Sequence, residues 1–245
     1  MAEDIARNRM PPAPEVPATP DADVLDPTPP LMRPGPEGGK RALNRQKRLA
    51  QLRAAALPLF IEQGVERVSI DDIVQAAGVA KGSFYRYYPD KEALVEAVMH
   101  PVRAAVEAAI EACEGALERA DTWAAVVLAY QALGLALAPA FAEHQDVVLL
   151  YLQENRAPDV GARRPIRALA RLVGERAVAL TLVAHRHRLL RPITPAVSAL
   201  AVVGAAERLL FEVLDGGALD DPLDAAASLV SMVLDGLRDS VTSPA

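Results

Sequence analysis

The spacing of apolar positions predicts helices from about residue 40 onward. Leu49, Leu52, Ala56, Leu59 and Phe60 recur at three- and four-residue intervals, which lays one apolar stripe along a first helix that Gly64 ends. Ser69 with Asp72 is a capping box, and Val68 with Ile73 is the hydrophobic staple beside it, so a second helix begins at Ile70. Ile70, Ile73 and Ala77 share one side of it, and Gly78 supplies a left-handed turn residue. After Val79, a plug for the turn, Phe84 and Tyr88 lie four apart on a short third helix from Lys81. Asp90 is placed as the N-cap of a fourth helix carrying Leu94, Val98, Val102, Val106 and Ile110 as far as about Leu117. Pro101 lies inside it and removes the bond to Ala97, which predicts a kink. Further helical patterns cover about 122–138, 141–156, 163–190, 195–214 and 222–241, separated by Asp121, Pro139, Pro158, Pro192, Pro195, Gly216, Gly217 and Pro222. No internal repeat and no sustained strand alternation occurs, and the connections are short enough for antiparallel neighbours. The predicted class is an all-α helical bundle.

The third helix leaves Lys81, Ser83, Tyr85 and Arg86 facing outward once Phe84 and Tyr88 are turned inward. An ammonium, a hydroxyl, a phenol and a guanidinium on the second helix of a helix–turn–helix are groups that bond phosphates and base edges. From Arg45 to Met99, the segments LRAAALPLFIEQGVE, SIDDIVQAAGVAKGSFYRYY and PDKEAL resemble the tetracycline-repressor (TetR) family of bacterial transcription regulators. The resemblance implies a three-helix DNA-binding domain joined by the fourth helix to a C-terminal bundle that binds a ligand and dimerises. It implies DNA contacts from Arg45, Arg48, Ser69, Lys81, Gly82, Ser83, Tyr85, Arg86, Tyr87 and Lys91. Within that set Tyr87 and Lys91 match phosphate-contact positions of the family, whereas Lys81 and Arg86 could reach base edges. Three positions depart from the family pattern. Pro58 sits inside the first helix and should bend it or cost it a hydrogen bond, Ala80 replaces a capping hydroxyl residue, and Tyr88 replaces a phenylalanine.

Composition sharpens this division of the chain. Half of the 245 residues are hydrophobic and only 4% are aromatic, which suits an aliphatic helical core. The formal charge of −6 is unevenly spread: residues 1–39 carry −4, residues 40–91 carry +5, and residues 92–245 carry −7. A basic module is thus mounted on an acidic body, as a nucleic-acid partner requires. Residues 1–39 hold ten of the twenty prolines and few large apolar groups, and are expected to form a disordered Pro-rich tail. The domain expectation is therefore a tail over 1–39, a helix–turn–helix DNA-binding domain over 40–89, and a ligand-binding and dimerisation domain over 90–245. Lys40, Arg41, Arg45, Lys47 and Arg48 form a basic lead into the first helix; cations there oppose the helix dipole, so phosphate contact is the compensating benefit. The single Cys113 excludes an intramolecular disulfide, and no cofactor or metal site is expected. No apolar run of about 18 residues and no signal-peptide core is recognised, so the expected location is the cytoplasm, associated with the nucleoid.

Two features of the body bear on function. Trp123, Tyr130, Phe141, His144 and Tyr151 are bulky or polar-tipped side chains among alanines and leucines, a set suited either to ordinary core or to a pocket for a small hydrophobic or amphipathic effector. Val197, Leu200, Ala201, Gly204 and Arg208, with Leu223, Ala226, Val230, Val233 and Leu237, give two helical faces that the resemblance assigns to a homodimer interface. An enzyme is disfavoured: His185 and His187 point about 200° apart on a helix, and no Gly-rich phosphate loop, nucleophile elbow or HExxH is present. The expected function is a ligand-responsive repressor that binds a palindromic double-stranded DNA operator as a homodimer. The alternative is a constitutive or architectural DNA-binding regulator without an inducer.

Overall fold

A computed structural model describes residues 39–186, 191, 193–217, 228, 229, 231–233 and 236. The Pro-rich segment 1–38 lies outside the described residues, as does most of the run expected over 222–241, including Val230. The described elements are α1 (Lys40–Gln63), α2 (Ile70–Ala76), α3 (Lys81–Tyr87), α4 (Lys91–Glu118), α5 (Trp123–Glu143), α6 (Gln145–Glu154), a 3-10 turn (Gly161–Arg163), α7 (Arg164–Arg186) and α8 (Pro195–Leu214). The all-α expectation is met.

Two helix starts in the N-terminal part, those of α2 and α4, have a side-chain cap. The Ser69 hydroxyl accepts from the Asp72 backbone N–H at 3.1 Å, while the Asp72 carboxylate accepts from the Ser69 N–H at 2.8 Å, which closes the capping box of α2. Gly64 closes α1 at φ 83°, and Gly78 makes the turn at φ 62°, both in the region that a side chain disfavours. The Asp90 carboxylate accepts from the Ala93 N–H and starts α4. Phe60, Val68, Ile73, Phe84 and Leu94 are completely buried, so α1–α3 and the start of α4 share one centre. That centre is continuous with the core of the body through the inner face of α4.

One proline departs from expectation, Pro139. Both α1 and α4 continue unbroken through Pro58 and Pro101. Pro139, read as a boundary, lies inside α5, and the break falls instead at His144, whose φ of −121° and ψ of 40° leave the helical region. Pro139 is on an exposed face, so water can bond the Leu135 carbonyl that the proline cannot. A second correction concerns hydropathy. Helix α5 has 21 residues and an 18-residue window of mean hydropathy 1.8, long and apolar enough to cross a membrane, contrary to the sequence reading. Its alanines and uncharged Gln131 hide that run from a search for bulky apolar residues. In the fold α5 starts from the Thr122 cap, and Val126 and Ala129 are its buried residues.

Candidate nucleic-acid interface

Helix α3 is held by very little of its own surface. Phe84 is completely buried and stacks edge-on against Tyr85 and tilted against Tyr88, at 5.5 and 5.9 Å between ring centroids. The Tyr88 hydroxyl that a phenylalanine would lack reaches the Leu49 carbonyl of α1 at 3.5 Å. Ala80 provides no side-chain cap, as its sequence predicts. Gln51 on α1 donates to the Ala77 carbonyl at 2.6 Å and closes the end of α2. The turn is thus fixed by α1 and α2, while the outer face of α3 contributes no buried contact.

That outer face carries the expected groups. Lys81, Tyr85 and Arg86 are exposed, with Tyr85 at 51%, and Ser83 and Tyr87 are half-buried at its edges. Lys81 forms an ion pair with Asp71 at 2.8 Å, which offsets a cation at a helix start and raises the lysine pKa. A Cβ added to Gly82 would meet open space, so no packing need inside the chain requires glycine there. The absent side chain leaves room for another molecule's backbone to come close. Arg41, Arg45, Lys47 and Arg48 are exposed on α1, Arg48 bonding Gln51 at 2.8 Å. Ser69 is exposed, but its hydroxyl is engaged within the capping box, donating to Asp72 at 2.6 Å.

Lys91 is placed differently from the rest of the set. Its ammonium donates to the carbonyls of Val65, Glu66 and Val68 at 2.8, 3.1 and 2.8 Å, and partial burial lowers its pKa. All three of its donors are committed to the α1–α2 loop, so in this conformation none is left for a phosphate. The matching sequence position had no signal for this, because the carbonyls it binds are backbone.

In the body, none of the five residues expected around an effector lines either of the two concavities described below. Tyr151 is buried on α6 and its hydroxyl donates to Glu207 of α8 at 2.7 Å; burial and the neighbouring carboxylate push its pKa up. Tyr130, on α5, has its pKa pushed up to about 12 by burial near Cys113. Trp123 and Phe141 are half-buried against the core, and His144 joins α5 to α6. Two concavities among the described residues lie elsewhere, one between α6, α7 and α8 and one between α4 and α7. Sequence reading named neither, because neither lining holds an aromatic residue.

Residues 52–98 match the family model of the bacterial regulatory proteins of the tetR family. The chain carries a TetR-family DNA-binding domain. An uncharacterized HTH-type transcriptional regulator of Bacillus subtilis, YvdT, is 46% identical over 44 residues, 18% of this chain and 23% of that protein. The chain thus spans only about a quarter of the length of this curated relative. Solved structures extend the likeness of fold to the body. NalD of Pseudomonas aeruginosa, the secondary repressor of a multidrug efflux pump, is 20% identical, with 81% of this chain and 99% of that one covered at a TM-score of 0.64. The ketosteroid regulator KstR2 of Mycobacterium tuberculosis is 18% identical, with 79% and 96% covered at a TM-score of 0.57. The TetR-like fold therefore embraces both the helix–turn–helix and the helical body.

Proposed function

We propose that this chain is a repressor of transcription that binds a palindromic double-stranded DNA operator as a homodimer and releases it when a small hydrophobic or amphipathic effector binds the body. The carrying observation is the exposed outer face of α3, where Tyr85, Arg86 and Lys81, the last paired with Asp71, stand beside the open space over Gly82. Lys81 and Arg86 are its base readers; Tyr87 and the basic start of α1 position it on phosphates. The divisions at 40–89 and 90–245 then separate reading from sensing, in the cytoplasm at the nucleoid.

Dimerisation is supported by α8. Val197 and Leu200 are 63% and 53% exposed on the face that also holds Ala201, Gly204 and Arg208, an apolar stripe that a second copy would cover. Two heads on one body raise affinity through effective concentration if they sit about 34 Å or a multiple apart along the duplex. An effector that prefers another setting of α4 lowers DNA affinity by its differential affinity for the two states. The efflux repressor NalD shares the fold, which favours the repressor reading over an activator.

Selection of bound fragments from the host genome, followed by fluorescence anisotropy on the recovered sequences, tests the proposal. An inverted repeat bound by a dimer is the expected result. Equal affinity for random duplex would overturn it.

A further inference from the structure

The concavity between α6, α7 and α8 has a charge opposite to that of the body around it. Arg156, Arg167 and Arg171 line it against the single carboxylate of Glu207, within a segment whose net charge is −7. Two of the guanidinium groups are already matched. Arg156 pairs with Glu207 at 3.2 Å, and Arg171 pairs with Asp159. Arg167 meets no carboxylate among the described residues. It is half-buried, its one recorded acceptor is the Asn155 backbone carbonyl, and its Nε is buried without a partner. Asn155, only 3% exposed, likewise leaves its side-chain oxygen buried and unbonded. A half-buried cation without a counter-charge is costly unless something supplies one, whereas the Asn155 oxygen needs a donor and is not satisfied by an anion. The remaining wall is apolar, with Leu200 and Val203 among its residues, and the space is about 230 Å³. This lies below the roughly 300–1,000 Å³ typical of drug-sized sites.

We infer that this concavity binds a small organic acid, its carboxylate on Arg167 and its short apolar body against Leu200 and Val203. Taking the ligand draws the Arg167 guanidinium from the Asn155 carbonyl, at the end of α6. The adjacent Glu154 is the residue that holds the head: its carboxylate accepts from the Val65 N–H at 2.9 Å and pairs with Arg163 at 2.5 Å. Tyr151, one turn earlier, ties the same helix to Glu207 in the wall of the concavity. An acid bound here therefore acts on the last turn of α6, which faces α8 on one side and the α1–α2 loop on the other. The coupling to DNA rests on the regulator reading above; the binding itself does not.

The test uses the full chain without DNA first. Hexanoate and benzoate, their neutral amides, and inorganic phosphate are titrated by calorimetry and by thermal shift. The two carboxylates should bind and raise the melting temperature, and the amides should not. Arg167→Gln should weaken hexanoate binding by about tenfold or more, the usual weight of a charge-assisted hydrogen bond, with an unchanged circular dichroism spectrum. Gly174→Leu keeps every charge but puts a side chain into the concavity, where the added Cβ alone lies 3.5 Å from Leu200, and its circular dichroism and urea unfolding are compared with those of the parent. The substitution should abolish binding. No binding of either carboxylate at millimolar concentration, equal binding of the amides, or full affinity in either variant overturns the inference. A response to inorganic phosphate alone overturns the organic-acid assignment. Anisotropy on operator DNA is then measured separately: carboxylate binding without DNA release sinks the coupling and leaves the site standing.

Discussion

Glu154 on α6 accepts a hydrogen bond from the backbone N–H of Val65 at 2.9 Å, joining positions 89 residues apart in the chain. Both Glu154 and its ion-pair partner Arg163 are nearly buried, with side-chain exposures of 8% and 14%. A Cβ on Gly64 would come within 3.2 Å of the same carboxylate, a tight contact at a backbone φ of +83° that already favours glycine. Glu154→Ala leaves Arg163 buried without its counter-charge and should cost about 3–5 kcal/mol in urea unfolding. A loss no larger than that of an exposed pair would show that the junction does not hold the head to the body.

Lys91 provides a contrasting test. Lys91→Met keeps the stem but strands three loop carbonyls, and should destabilise the protein by about 1–3 kcal/mol. The salt dependence of DNA binding should stay unchanged. A fall of about 1 in the log–log salt slope would instead restore Lys91 as a phosphate contact.

Arg86→Ala and Lys81→Ala should each relax discrimination at particular base pairs by about 1–3 kcal/mol, whereas Tyr87→Phe should weaken binding evenly across sequences. Anisotropy on operator and random duplexes measures both. Equal losses on the two DNAs for Arg86 or Lys81 would remove that residue as a reader.

Val197→Arg places a charge on the exposed stripe of α8 and should yield a helical monomer by sedimentation and circular dichroism, with operator affinity reduced toward the non-specific level. A monomer that keeps full operator affinity defeats the dimer and the palindrome together.

The capping box gives an acid-side prediction. Hydrogen bonds from the Ser69 hydroxyl and N–H hold the Asp72 carboxyl below its ordinary 3.8. Because the folded value is the lower one, the unfolded chain takes up this proton first. The stabilisation is fully present above the unfolded value and is lost as pH falls through the folded one. In an acid titration followed by NMR, the Ser69 and Asp72 amides should move together with a midpoint below 3.8, and Ser69→Ala should raise that midpoint. A midpoint at or above 3.8 in the parent protein contradicts the box.

The N-terminal half was legible because its signals are local. Ser69 and Asp72 are three residues apart, Gly78 needs only its own backbone, and Phe84 shows by spacing which face of α3 is buried. The intramolecular bonds of Lys91 were hidden for the opposite reason: its partners are carbonyls 23 to 26 residues away, and backbone groups leave no mark in a sequence. The concavity was missed in the same way, since Arg167 and Leu200 meet only through the packing of α7 on α8. The α5 boundary failed at Pro139 because an exposed helix face tolerates a missing amide donor. The bond from Tyr151 to Glu207 across the bundle was hidden likewise.

The anchoring of α3 by Phe84 and Tyr88, from within and from its end, has a consequence for descent. The side chains of Lys81 and Arg86 lie exposed, so replacing them costs the fold little, usually within about 0.5 kcal/mol for surface positions. On the proposed function, a lineage can therefore exchange the DNA address by single surface substitutions, without passing through an unstable ancestor.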